Sequence, residues 1–327
     1  MTIATGQKIQ ASDYNVIYNK IDAVMGVNND GYGQVVSSSS QSLNADISLA
    51  VWNNLRNDLI KSRYHQTGVD PSGSLTAVTS ADKISFTVWN QANALADVIT
   101  TNKRAVASNQ GSIETITGGN STISNWNVSI SHTVTIDFGS NTAARYFFNA
   151  GGDIRIRAYR SGTAANNKDS AWTSMLGDNA TIKGQGTIYM NYTLTDTVDG
   201  SYDTSPTDQR GTGSAIGFYD LTATNQQIYI KNAPSGAYSE NYYQIQARVN
   251  TASNPSQVII TVNFVDADTG GPALPPAPGS SPGQPPGPTI DDVVTGTTGS
   301  VVTVFRPSGS NVSVASPSGS SVGLSGS

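Results

Sequence analysis

The chain has 327 residues, no cysteine and a formal net charge of −5. Disulfides and thiolate metal sites are therefore excluded, and a general nucleic-acid binder, which needs a basic face against phosphates, is disfavoured. Charged residues make up only 13%, yet a 37% hydrophobic share and 14 tyrosines support a folded core, and 32 glycines point to many turns.

The opening MTIATGQKIQ carries neither a basic region nor an apolar run, so no signal peptide is expected. No stretch is long and apolar enough to predict a membrane span. From Ala11, the recurrence of Tyr14, Ile17, Tyr18, Ile21 and Val24 predicts a helix, with Ser12 as N-cap and Gly26 as stop. A second helix is expected from about Asn44, its cap, to Tyr64. Ile47, Val51, Leu55 and Leu59 form its stripe, broadened by Trp52 and Ile60. A third starts near Ser80, with Ile84, Val88, Ala92, Leu95 and Ile99 in line, Trp89 beside them, and Lys103 and Arg104 at the negative end of its dipole.

These helices look related. Ala45-Asp46-Ile47-Ser48 precedes Val51-Trp52-Asn53, and Ala81-Asp82-Lys83-Ile84-Ser85 precedes Val88-Trp89-Asn90. Two readings stand: a small repeated helix unit, or convergence on good capping with a Trp-anchored stripe. Three short helices bury little surface alone, so such a unit gains its core from copies of itself or from a partner.

From about Gly118 the pattern turns to strands. Val128–Ile130 is short, and His132, Val134, Ile136 and Phe138 alternate with polar residues. Tyr146–Arg160 reads as a central hairpin: an aromatic strand at Tyr146–Phe148, a turn at Asn149–Gly152, then alternation from Asp153. Ile154, Ile156 and Ala158 share one face of that second strand, and Arg155, Arg157 and Tyr159 the other. The basic patch of Arg155, Arg157 and Arg160 reads as a solvated strand face. One or two helical turns are expected at Asp169–Gly177, and strands at Thr187–Leu194, Ala215–Leu221, Gln227–Lys231, Tyr242–Val249 and Gln257–Val265.

The expected fold class is therefore α+β and multidomain. Short N-terminal helices (1–117) precede an antiparallel β-sandwich of jelly-roll type (118–267). A Pro-rich linker (268–289) and a Ser/Gly-rich C-terminal tail (290–327) follow as an extended arm. The tail holds brief β-like runs at Val293–Val294, Val301–Phe305 and Val312–Val314, and alone it would be weakly structured.

Chemistry is sparse. There are two histidines, and no Ser/His/Asp arrangement can be built around them from local spacing. His65 reads as a polar contact just past a helix end, and His132 as a strand-face residue. Asp196, Asp199, Asp203 and Asp208 read as a solvated acidic loop in preference to a calcium site, because their spacing matches no EF-hand. Asp266-Ala267-Asp268 is a weaker cluster of the same kind. No phosphate loop or dinucleotide fingerprint is present. No catalytic residue, cofactor or metal ligand is assigned, and the chain reads as an assembly protein without enzymatic activity. Its tyrosines and arginines suit either a sugar- or protein-binding face or cores and trimer seams.

Three stretches carry a resemblance. Ile9-Gln10-Ala11-Ser12-Asp13-Tyr14-Asn15 resembles the openings of tailed-bacteriophage tail and fibre proteins. Arg56-Asn57-Asp58-Leu59-Ile60, followed by Arg63-Tyr64-His65-Gln66-Thr67-Gly68, is similar to virion structural proteins of contractile-tailed phages of cyanobacteria. Phe147-Phe148-Asn149-Ala150-Gly151-Gly152-Asp153-Ile154-Arg155 resembles a hairpin of the same group. The resemblance covers the first half to two-thirds of the chain. It implies a structural component of a virion's tail, neck, baseplate or fibre. It implies virion localisation after assembly in a host cytoplasm, docking on other virion proteins, and a homo-oligomer, with a trimer favoured over a hexamer. Contact with a host-surface carbohydrate or receptor is the alternative.

Overall fold

The helical periodicity of the first hundred residues forms three helices. The computed structural model describes residues 9–80, 83–176, 178–185, 189–196, 219–233, 237–268 and 293–326. Helix α1 spans Ala11–Met25, α2 Leu49–Thr67 and α3 Phe86–Thr101. Helix α1 opens at Ala11 as expected, but Gln10, not Ser12, is the N-cap, and the Asp13 carboxylate accepts the Gln10 backbone N–H at 2.8 Å. Helices α2 and α3 start later than Asn44 and Ser80. Asn44 sits in a turn at φ 65°, and the caps are Ser48 and Ser85. Each serine hydroxyl accepts a backbone N–H three residues on, from Val51 and Val88, at 3.3 Å in both cases. The two related segments thus share their capping geometry, and each places a Trp four residues past its cap. Trp52 and Trp89 are both buried, in one core with Tyr14, Ile17, Ile21, Leu55, Leu59 and Ile99.

Polar groups lock this helical unit. The buried Asp58 carboxylate accepts the backbone N–H groups of Ser37 and Ser38 and the Ser38 hydroxyl, tying a serine-rich loop to α2. Gly68 closes α2 in the left-handed region at φ 71°, so the helix runs to Thr67, past the expected end at Tyr64.

The remaining elements are β1 (Gly111–Trp126), β2 (Ser129–Asp137), α4 (Asn141–Asn149), β3 (Asp153–Ser161), α5 (Asn167–Met175), β4 (Asp178–Gln185), β5 (Tyr189–Asp196), β6 (Tyr219–Asp220), β7 (Gln226–Asn232), β8 (Tyr242–Val249), β9 (Gln257–Val265), β10 (Val294–Pro307) and β11 (Ser318–Gly326). They form two antiparallel sheets, ordered β1-β10-β3-β4-β5-β6 and β11-β2-β9-β8-β7. Ile154, Ile156, Val302 and Val304 of the first sheet and Val134, Ile136, Ile245, Ile260 and Phe264 of the second belong to one buried core. The α+β class and the paired antiparallel sheets agree with expectation. Within the sheets, β3 to β6 and β7 to β9 run as consecutive neighbours.

Three expectations are corrected. Tyr146–Phe148 is not a strand: it belongs to α4, which the Ser140 hydroxyl caps by accepting the Ala143 N–H at 3.1 Å. Ala144, Phe147 and Phe148 are buried at helical spacing, and Phe138 packs on both phenylalanines. Asn149-Ala150-Gly151-Gly152 ends that helix instead of turning a hairpin, with Gly151 at φ 92°. Strand β3 finds its partners elsewhere, in β10 and β4.

The second correction concerns residues 290–327, which are not a tail outside the sandwich. Strand β10 inserts between β1 and β3, with Val302 opposite Ile156 and Val304 opposite Ile154, and β11 pairs with β2. Strand β1 begins at Gly111, ahead of the expected boundary. The linker expected at 268–289 lies almost wholly outside the described residues.

The third is Arg160. Counted in twos from Ile154, it falls on the inner face, and it is buried. Its guanidinium bonds Asp169 of α5 at 2.9 Å, with both side chains fully shielded, and also the Thr295 carbonyl at 2.8 Å and the Thr173 hydroxyl at 3.1 Å. Arg157 is exposed, and the partly buried Arg155 pairs with Asp153 at 2.8 Å.

Candidate functional site

Two of the motifs singled out in the sequence, the end of α2 and the turn after α4, meet at the joint between the helical unit and the sheets. His65 lies within the last turn of α2, not past it, and is buried. Its Nε2 stands 2.8 Å from the carbonyl oxygen of Ala150, in the turn from α4 to β3. Tyr32 packs edge-on against its ring at 5.2 Å. Burial pushes the imidazole down to about 4, so it is neutral at pH 7 with the proton on Nε2. Beside it, Gln66 donates to the Ile99 carbonyl at 2.9 Å and to the Tyr32 hydroxyl. Asn149 donates to the carbonyls of Asn29 and Gly31, and Tyr146 donates to the Val27 carbonyl at 2.7 Å. The joint is built of side chains that satisfy backbone carbonyls, an arrangement that fixes position and leaves no nucleophile poised against a base.

His132 is on the inner face of β2, buried, with Nε2 3.0 Å from the Gly118 carbonyl. Burial lowers its pKa as well. The two histidines sit in different parts of the core, each against a backbone carbonyl. Asp199, Asp203 and Asp208 lie outside the described residues, and Asp196 ends β5. Among the described residues, no group of three or more His, Asp or Glu side chains is arranged to hold a metal ion. No helix among them is long and apolar enough to cross a membrane.

Two open cavities border these elements. One, of about 410 Å³, is lined by Lys103, Arg104, Phe148, Gly151, Gly152 and Lys183. Lys103 and Arg104 follow the C-terminal end of α3, where positive charge offsets the helix dipole. The other, of about 420 Å³, lies on the outer face of the second sheet and is lined by Ser131, Tyr242, Gln244 and Asn263 among others. Side-chain amides run across that face: Gln244 donates to Gln227 at 2.5 Å, and Asn263 to Gln244 at 3.4 Å. Thr133 and Thr261 bond beside them at 3.2 Å.

Sequence reasoning passed over Lys168. It sits in the first turn of α5, fully buried, and its Nζ donates to Asp266 at 2.7 Å and to the Asp268 carbonyl at 2.6 Å. Residues 266–268, read from sequence as a weak acidic cluster, supply its partners. A partner 98 residues away leaves no local signal in the sequence.

No protein-family model, no curated protein and no solved structure matches the chain.

Proposed function

We propose that the chain is a structural component of a tailed-phage virion, in the tail, neck or baseplate. It assembles as a closed homo-oligomer, a trimer in the favoured arrangement, and docks onto neighbouring virion proteins. One observation carries the reading. The three phage-like stretches occupy the scaffold: the first opens α1, the second ends α2, and the third joins α4 to β3. The second and third touch through His65 and Ala150. Residues used in this way hold domains in a fixed relation, which is what a load-transmitting component requires. Mass spectrometry of purified particles from the source culture should find the chain at fixed stoichiometry, with antibody labelling on the tail. Its recovery only from the cell fraction, never from particles, would overturn the proposal. Light scattering on the full chain should give a trimer or hexamer, and a stable monomer would remove the oligomeric part.

The outer face of the second sheet supports a second reading, a carbohydrate-binding module. Side-chain amides and hydroxyls flanked by Tyr242 offer the donors, acceptors and aromatic edge that bind neutral sugars. A glycan screen should show saturable binding that Gln244→Ala weakens. Silence across host-surface glycans would reject this reading.

A further inference from the structure

The buried Lys168–Asp266 pair differs in kind from the nearby Arg160–Asp169 pair. Both are shielded from solvent and both are in hydrogen-bond contact. A guanidinium stays charged and is not a nucleophile, so Arg160 can only remain an ion-pair partner. Lysine carries a primary amine that becomes nucleophilic once it gives up its proton.

We propose that Lys168 and Asp266 condense into an intramolecular amide, a covalent cross-link from α5 to the end of β9.

The geometry fits the reaction. Lys168 Nζ is 2.7 Å from Asp266 Oδ2. A nitrogen at that distance from a carboxylate oxygen lies about 3–3.5 Å from the carboxyl carbon, and attack needs only that it rise from the carboxylate plane onto the face of the carbon. A second contact, to the Asp268 carbonyl at 2.6 Å, aims the amine, and the Tyr238 ring lies 5.9 Å from Nζ. Asn241 Oδ1 accepts the backbone N–H groups of Ala267 and Asp268, which pins the segment carrying both acids. The other Asp266 oxygen, Oδ1, is buried, and the Asn241 side chain lies beside the carboxyl. Lys168 also sits in the first turn of α5, where the positive end of the helix adds to the cost of an ammonium charge. Burial raises the pKa of both Asp266 and Asp268, which favours their neutral acid forms.

The step balances without an added reagent. The proton of the ion pair moves onto the Asp266 carboxylate, leaving a neutral amine and a neutral acid. The nitrogen lone pair attacks Cγ. A second N–H proton passes to the departing hydroxyl, one C–O bond breaks, and water leaves. One N–C bond has formed, and nothing is oxidised or reduced.

The test is the intact mass of the full chain. The expected result is a mass one water below that of the sequence. A tryptic digest should contain a branched peptide joining the Lys168 and Asp266 segments, with no cleavage after Lys168. Lys168→Arg should restore the full mass. A wild-type chain at full sequence mass would overturn the proposal. So would a missing water that persists in the Lys168→Arg chain, since that would place the dehydration elsewhere, such as a succinimide at Asp266-Ala267. The branched peptide from the wild-type chain decides the question even if the variant fails to fold.

Discussion

His65 Nε2 donates a hydrogen bond to the carbonyl of Ala150, 85 residues further along the chain, and so ties α2 to the turn between α4 and β3. The bond requires a neutral ring that keeps its proton on Nε2. Burial lowers the folded-state pKa to about 4 against an unfolded value near 6.5. Between those values the unfolded chain binds more protons, so stability rises with pH across that window and falls on acidification through it. The loss from His65 is expected to reach about 3 kcal/mol by pH 4 and to level off only below it. The depressed pKa of His132 adds a loss of the same sign. Urea denaturation from pH 7 to pH 4 should show the slope, and His65→Gln should flatten it in part. An unchanged slope in that variant would refute the assignment.

Removing one member of the Arg160–Asp169 pair leaves a buried charge uncompensated. Asp169→Ala is expected to cost about 3–5 kcal/mol. Asp169 also accepts the Thr295 N–H at 2.8 Å and the Ala165 N–H at 2.9 Å, so the start of β10 should loosen with it. Replacing both members, as Arg160→Met with Asp169→Leu, should cost less than Asp169→Ala alone. Chemical denaturation of the two variants would check this order.

The paired helix starts give a graded prediction. Ser48→Ala and Ser85→Ala should each cost about 1 kcal/mol, because each leaves one N–H of the first turn without its cap. Trp89→Ala should cost about 3–5 kcal/mol, because that side chain is fully buried among three helices and a cavity would remain. Thermal unfolding of the three variants should separate the two classes clearly.

A chain ended after Asp268 lacks both C-terminal strands. Strands β1 and β3 would lose the strand between them, and β2 its edge partner. Val302 and Val304 would vanish from the core. The shortened chain is expected to lose cooperative unfolding of the sheets, followed by near-UV circular dichroism. A sharp transition with an undiminished denaturant slope would contradict this, since that slope tracks the surface exposed on unfolding.

How much was legible in the sequence follows from the range of the forces involved. The stripes of α1, α2 and α3 and the alternation of β8 and β9 depend on neighbours within a few residues. Composition and spacing therefore determined them, together with the α+β class and the antiparallel sheets. Other features depended on contacts made across the whole chain. Phe147 and Phe148 look like strand residues until Ser140 caps a helix and Phe138 packs on them. Val301–Phe305 looks like a fragment of a loose tail until β1 and β3 bond to it on both sides. His65 reads as a helix-end polar contact until Ala150 arrives, and nothing near Lys168 in the sequence announces Asp266 and Asp268. Local periodicity sets which face of an element is apolar. Only the folded structure decides which distant carbonyl or carboxylate meets a polar side chain on that face, because desolvation makes such a meeting obligatory without specifying the partner in advance.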